Sequence, residues 1–281
     1  MLTVKAPAKI NLTLEVLRKR PDGFHDIKSV FQAVDLCDTL TLKTGKDITF
    51  RCDTPGWSAE KSLVTKAVDL LKNITGCSYG VTVEIEKRIP LMSGLGGDSS
   101  DAAALLRGLN QLWKLGLSIE KLKELAAQLG SDVTFFLSGG TALAEGRGET
   151  ITPLPSINKI WVILVVPEVT GESGKTGRMY AALKPEHFTD GEITEKFIKT
   201  LHKDNKFDAS LLFNAFENVA FDMYSGLKDY QELLINLGAP QVHLAGSGPT
   251  LFTVLPEKAR AEEIYKKCKS QGIKAHLAAS L

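Results

Sequence analysis

Between residues 90 and 113 the chain reads PLMSGLGGDSSDAAALLRGLNQLW, so that Ser93, Gly94, Gly96, Gly97, Ser99 and Ser100 crowd in front of an apolar helical pattern. The first backbone N–H groups of a helix lack partners within it and sit at the positive end of its dipole, which makes a glycine-rich approach to that end an anion site. Glycines let the backbone come close and adopt dihedral angles closed to other residues. The serines add hydroxyls for phosphate oxygens or a magnesium ion. Phosphate is the natural guest, although the same residues also suit an ordinary Gly-Ser connection between a strand and a helix. Two familiar phosphate loops are excluded. No lysine stands at the helix entry as G-x-x-x-x-G-K-[ST] requires, and G-x-G-x-x-G fails because Gly94-Leu95-Gly96-Gly97 is followed by Asp98 and Ser99.

A second group with chemical potential lies near the start. In LTVKAPAKINLTLEVLRKR the apolar residues Leu2, Val4, Ala6, Ala8, Ile10, Leu12, Leu14 and Val16 take the even positions, which is the period of a strand. Lys9 and Asn11 therefore share the opposite face, about 6–7 Å apart. RPDGFHD follows as a turn that sets Phe24 beside His25, before the strand-like VFQAVDLCDTLTLK.

The elements that must position these residues follow from periodicity. A helix is expected over about 62–72 on the spacing of Leu63, Ala67, Leu70 and Leu71, then an alternating strand in GVTVEIEKRIP that runs into the glycine turn. Beyond the turn Ala102, Leu105, Leu106, Leu109, Leu112 and Trp113 mark one helix face, closed by Gly116. SIEKLKELAAQLG forms a further helix with Ser118 as N-cap and Gly130 as its stop. Composition shifts at ETITPLPSINK, where closely spaced prolines suit a crossover between domains 1–152 and 153–281. IWVILVVP then reads as a buried strand, TGESGKTGRMYAAL as a loop, LLFNAFENVAF, GLKDYQELLINLG and EKARAEEIYKKCKSQG as helices, and KAHLAA as the last strand. Strands and helices alternate in both parts, as in an α+β or α/β architecture.

The totals agree with this outline. A length of 281 residues with 43% hydrophobic content allows two domains of ordinary size. With 34 basic against 33 acidic residues and no block of like charge, neither a nucleic-acid partner nor a membrane surface is expected, and a polyanionic ligand must be met locally. Cys37, Cys52, Cys77 and Cys268 form no C-x-x-C pair, which argues against a structural zinc site or a disulfide framework and fits a reducing compartment. With no basic leader and no bilayer-length apolar run, the expectation is a soluble cytoplasmic protein.

The stretch P-x-x-x-G-L-G-G-x-S-S-D-A that starts at Pro90 resembles the second signature of the GHMP kinases, the superfamily of galactokinase, homoserine kinase, mevalonate kinase and phosphomevalonate kinase. PAKINLTLEV (7–16) is similar to the first signature and LAGSGPTLFTVL (244–255) to the third, so the motifs stand in the right order across nearly the whole length. In detail, PAKINLTLEVLRKRPDGFHDIKSVFQAVDLCDTL and LGSDVTFFLSGGTALAEGRGE resemble the 4-diphosphocytidyl-2-C-methyl-D-erythritol kinases. The resemblance implies an α+β fold, with a ribosomal S5 domain 2-like N-terminal domain, a ferredoxin-like C-terminal domain, and a last strand that packs back on the first. It implies ATP and Mg2+ as cofactors and phosphorylation of the substrate's 2-hydroxyl in the non-mevalonate isoprenoid route. The acceptor is then a small molecule, and a monomer or weak homodimer is expected.

By the same resemblance Pro90, Leu91, Met92, Ser93, Gly94, Leu95, Gly96, Gly97, Asp98, Ser99 and Ser100 bind ATP. Lys9 is carried over as catalytic, and its charge suits the task independently, because transfer between anionic reactants needs positive charge near the γ-phosphate. Its bland alternative is a solvated lysine on a strand face. Asn11 would orient the acceptor hydroxyl or the side chain of Asp132. Asp132 is implied as the general base that takes the hydroxyl proton, while its place just past Gly130 also suits a helix cap.

His25 is implied to read the cytosine edge, Phe24 to stack on its face, Tyr180 to supply a second ring and Thr176 to contact the diphosphate. Stacking of a base on an aromatic is worth roughly 1–3 kcal/mol. SGKTG (173–177) is read as a substrate-side loop. The chain departs from the family pattern at Phe24, where tyrosine is usual, at Ser62, where asparagine is usual beside adenine, and at Asp98, where glycine is frequent. Asp98 must point outward, bind magnesium through water, or repel the nucleotide. No set of metal-ligating side chains is read. The rivals are another GHMP kinase, of mevalonate or homoserine type, and a non-catalytic nucleotide-binding homologue.

Overall fold

The computed structural model describes residues 1–168, 174–204 and 207–281. By packing it forms two compact units whose chain segments interleave. The first takes Met1–Ala8, Cys37–Leu91 and Gly96–Gly139, and the second takes Lys9–Leu36, Met92–Leu95 and Gly140–Leu281. Two long strands, β1 (Leu2–Lys19) and β2 (His25–Gly45), contribute residues to both units.

In the first unit β3 (Ile48–Arg51) runs parallel to β4 (Gly80–Glu86), which pairs antiparallel with the C-terminal part of β2. Alternation sends Leu40, Leu42, Val81, Val83 and Ile85 to one buried face. Four helices complete the unit: α1 (Leu63–Thr75), α2 (Gly97–Leu112), α3 (Ile119–Leu129) and α4 (Ser131–Ser138). They pack on one another, and α2 lies directly on the sheet, where a Cβ added to Gly108 would come within 2.4 Å of Leu42 Cδ1. Ser62 and Ser118 act as N-caps, their hydroxyls accepting from the amides of Val64 and Lys121. Gly76, in the left-handed region at φ 67°, ends α1.

In the second unit the N-terminal part of β2 pairs antiparallel with β5 (Thr141–Gly146), and β5 with β6 (Thr150–Pro153). A further antiparallel sheet has the order β11-β7-β10-β9, built from β7 (Trp161–Val165), β9 (His243–Leu244), β10 (Leu251–Leu255) and β11 (Ala275–Ala279). The short strand β8 (Phe213–Asn214) runs parallel to β1. Helices α5 (Lys175–Ala182), α6 (Glu192–Asp204), α7 (Glu217–Met223), α8 (Leu227–Asn236) and α9 (Lys258–Ser270) complete the unit. Its core joins Leu14, Ile163, Met179, Phe216, Leu234 and Ile264.

The final strand pairs with β7, and the chain end then returns to β2: Ser280 bridges Val34, and the Leu281 amide donates to the Ala33 carbonyl at 3.0 Å. The stretch expected as a loop from Thr170 differs. Ser173 and its preceding neighbours lie outside the described residues, but from Lys175 onward the chain is helical, because burial of Met179 gives α5 a core-facing side. Helix α6 is absent from the periodicity reading. Its buried side is thin, with Thr194, Phe197 and Leu201 set in an otherwise charged sequence.

Candidate active site

The glycine turn takes the shape its residues allow. Gly94 and Gly96 have φ of 87° and 74°, and Met92 also lies in the left-handed region at 50°. Gly94 owes its identity to a close approach as well, since a Cβ there would stand 2.2 Å from the Ala245 carbonyl oxygen. Gly96 caps α2 without any side chain, and the Ser100 amide donates back to the Gly96 carbonyl at 2.9 Å. The N-terminal amides of α2 thus open onto the turn. The Ser100 hydroxyl is buried beside them and has no hydrogen-bond partner, which suits an external ligand's oxygen.

Asp98 resolves into the outward orientation. Its carboxylate accepts from the Ser62 hydroxyl and from the Leu63 amide, at 3.1 Å to Oδ2, so it serves the N-terminus of α1. There the positive end of the α1 dipole offsets its charge. Ser62, expected beside adenine, is thereby engaged with Asp98 as well as with Val64.

Lys9 and Asn11 share a strand face as the period required, but that face is no solvent surface. Lys9, Asn11, Thr13 and Glu15 are as buried as the apolar residues between them. Lys9 Nζ donates to Asn11 Oδ1 at 2.8 Å and lies 4.6 Å from the centre of the Phe31 ring. Asn11 Nδ2 donates in turn to Ser29 Oγ at 2.9 Å, and that hydroxyl donates to the Thr13 carbonyl. Ser29 therefore fixes which end of the Asn11 amide faces the ammonium.

The third motif backs this group from behind. Asn214 Nδ2 donates to the carbonyls of Leu244 and Gly246, both at 2.8 Å, and the Tyr224 hydroxyl donates to the Ser247 carbonyl at 2.9 Å. A Cβ on Gly246 would lie 3.6 Å from both Lys9 Nζ and Asn11 Oδ1, so the loop is pressed against the pair. Thr176 shares a hydrogen bond of 2.9 Å with Ser247 Oγ. Its neighbour Lys175 donates to the carbonyls of Met92 and Gly248, and burial pulls its ammonium down to about 8. A lysine missing from the helix entry is in this way supplied to the turn from a distant segment.

His25 is buried and stacks on Tyr180, with ring centres 4.8 Å apart and planes 15° from parallel, while Phe188 meets it edge-on at 5.9 Å. Burial, helped by the charge of Lys19, lowers the pKa of His25 from its ordinary value. Phe24, 54% exposed, carries the Arg147 guanidinium 4.9 Å from its ring centre. Tyr180 is thus brought onto His25 in this arrangement, and Phe24 is left exposed. Asp132 belongs to the first unit, in the first turn of α4. The N-cap there is Gly130, so Asp132 is not the cap residue.

Sequence reading assigns no individual role to Ser29, Asn214 or Lys175, nor to a buried group of Lys87, Asp38 and Asp101 in the first unit. Lys87 Nζ donates to Asp38 Oδ2 at 2.5 Å and to Asp101 Oδ2 at 2.7 Å. A usable signal exists for Asp101 alone, a carboxylate one helical turn before Leu105 on the apolar face of α2. Among the described residues no helix is long and apolar enough to cross a membrane, and no group of three or more His, Cys, Asp or Glu is gathered to hold a metal ion.

The chain is similar to known proteins over its whole length. The GHMP kinases N terminal domain matches residues 62–140 and the GHMP kinases C terminal domain matches 193–274. A 4-diphosphocytidyl-2-C-methyl-D-erythritol kinase of Dehalococcoides mccartyi is 48% identical over 281 residues, covering 100% of this chain and 99% of the relative. One from a Geobacillus strain is 40% identical over 94% of this chain and 91% of its own length. The crystal structure of a 4-(cytidine 5'-diphospho)-2C-methyl-D-erythritol kinase superposes with a TM-score of 0.85 at 30% identity, covering 99% of each chain. The L. major mevalonate kinase, at 17% identity and a TM-score of 0.76 over 100% of this chain and 96% of that one, shares the fold. With similarity of this degree over its full length, the chain belongs to the GHMP kinases and, within them, to the 4-diphosphocytidyl-2-C-methyl-D-erythritol kinase family.

Proposed function

We propose that the chain transfers the γ-phosphoryl group of ATP to the 2-hydroxyl of 4-diphosphocytidyl-2-C-methyl-D-erythritol, a step of the non-mevalonate route to isoprenoid precursors. The observation that carries this reading is the setting of Lys9. Its ammonium is buried and held by Asn11, and its own backbone N–H donates to the Leu95 carbonyl of the glycine turn at 3.0 Å. The catalytic cation and the phosphate loop then share one frame.

In this reading residues 90–100 hold the ATP phosphates at the α2 N-terminus. The acceptor oxygen attacks the γ-phosphorus as the bond to the bridging oxygen of ADP breaks, giving ADP and a phosphate monoester. Asp132 receives the hydroxyl proton, and Lys9 stabilises the charge that develops on the transferring group. Asn11 orients the hydroxyl. Ser99 and Ser100, whose buried hydroxyl has no hydrogen-bond partner, are the residues that would hold a magnesium ion beside the phosphates. When bound, the ion neutralises charge on the β- and γ-phosphates. His25, kept neutral by burial, meets the cytosine edge, with Phe24 and Tyr180 as stacking surfaces and Thr176 toward the diphosphate.

The test is an acceptor panel with MgATP, following ADP release and identifying products by mass. Turnover with the cytidyl substrate is expected. Turnover with mevalonate or homoserine and none with the cytidyl compound overturns the substrate assignment, and ATP binding without turnover of any acceptor overturns the activity.

A further inference from the structure

The Lys87 cluster lies where the glycine turn is suspended. Lys87 follows the last residue of β4, and Asp101 is in the second turn of α2, so the residues between them form the turn. Asp38, on β2, binds the incoming side three times: Lys87 Nζ at 2.5 Å, the Arg88 amide at 2.5 Å and the Ile89 amide at 2.8 Å. Lys87 then reaches across to Asp101 at 2.7 Å. All three side chains are sealed from water, at 2% exposure for Lys87 and 0% for each aspartate.

Direct packing closes the same gap. A Cβ added to Gly97, the first residue of α2, would stand 3.0 Å from Ile89 Cγ2 and 3.4 Å from Lys87 Nζ. The absence of a side chain at Gly97 lets the strand end and the helix start touch, and the ion cluster draws them together.

Such a cluster is a poor means of gaining stability, because the desolvation of three charges offsets most of their attraction. What it does supply is a defined geometry. We propose that Lys87 is a positioning residue for the triphosphate loop: bridging Asp38 and Asp101, it sets the separation between the end of β4 and the first turns of α2, and thereby the aperture in which the loop amides meet the phosphates. The proposal rests on the reading that this turn binds ATP. Asp101 Oδ1 has no partner, consistent with a carboxyl held for one contact, the one to Lys87.

The test separates positioning from mere stability by measuring KM for both substrates on the folded fraction of each variant. Lys87→Met is expected to raise KM for ATP about tenfold or more while KM for the acceptor stays within about twofold, since small displacements of a binding frame have effects of this size. Asp101→Ala leaves the Lys87–Asp38 pair intact and releases only the helix, so it reads the same question should Lys87→Met fail to fold, and the same selective rise is expected. Asp101→Asn, which can still accept from Lys87, is expected to stay near wild type. Lower Tm and folded yield with wild-type KM for ATP in both Lys87→Met and Asp101→Ala overturns the proposal. Titration of Gly94→Ala with a fluorescent ATP analogue distinguishes failure of the underlying reading: if that variant binds like wild type, the loop is not the phosphate site. If it binds weakly while the Lys87 and Asp101 variants bind normally, the positioning role alone fails.

Discussion

The backbone N–H of Lys9 donates to the carbonyl of Leu95 at 3.0 Å, joining the first motif to the second through the main chain alone. The third motif closes the group, since a Cβ on Gly246 would lie 3.0 Å from the Gly94 carbonyl oxygen and 3.6 Å from Lys9 Nζ. Distant parts of the chain thus meet backbone to backbone, and glycine is required where they are closest.

Gly94 is the most constrained of these contacts. Gly94→Ala combines a φ of 87° with a Cβ 2.2 Å from a carbonyl oxygen, and the backbone conformation alone costs about 1–2 kcal/mol. Thermal unfolding should show a clear drop in Tm, and KM for ATP should rise more than KM for the acceptor. Gly116→Ala, with φ 67° and open space around it, should lose only the backbone contribution and leave both KM values unchanged.

Ser29 holds the Asn11 amide by the hydrogen bond at Nδ2. Ser29→Ala leaves that donor unpaired and the amide free to turn, so kcat should fall about tenfold with little change in KM for ATP. Ser29→Thr keeps the hydroxyl and should recover most of the rate. Equal losses in both variants would assign Ser29 to packing instead.

Asp98 serves α1. Asp98→Ala should lower stability by about 1 kcal/mol through loss of a helix N-terminal acceptor and its favourable dipole interaction. KM for ATP should stay level or fall slightly, as a nearby negative charge is removed. A severalfold increase in KM would show that the carboxylate contributes to the nucleotide or its metal.

Lys175 predicts a pH dependence of defined sign. Its ammonium titrates near 8 in the folded protein against an ordinary 10.5, so between these values the unfolded chain binds more protons. Its contribution is therefore unfavourable below about pH 8 and is relieved as pH rises through the window. Urea unfolding of wild type and Lys175→Met at pH 7.5 and 10 should show the difference moving in favour of wild type at the higher pH. A difference independent of pH would mean that the lysine titrates normally.

How far residue order alone reaches differs from one element to the next. The twofold period of 2–16 places Lys9 and Asn11 on one face, the Ser62 and Ser118 caps mark where α1 and α3 begin, and the glycines mark the start of α2. Each of these depends on backbone hydrogen bonding and side-chain direction over a few neighbouring residues, information the order of residues carries directly. The short α5 and the charged α6 escape because their buried stripes are too thin to stand out from their surroundings.

The partners are another matter. That the Lys9 face is buried, that Ser29 turns the Asn11 amide, that Tyr180 lies on His25, that Asp98 turns to α1 and that Lys87 gathers Asp38 and Asp101 all depend on side chains brought from remote segments. Local pattern is silent on such meetings, because a hydrogen bond or ion pair forms wherever packing sets two groups within about 3 Å, whatever their separation along the chain. The chemical inventory and its secondary-structure frame are therefore written in the order of residues. Which donor faces which acceptor, and how far each pKa moves, arises only when the chain packs and water is excluded.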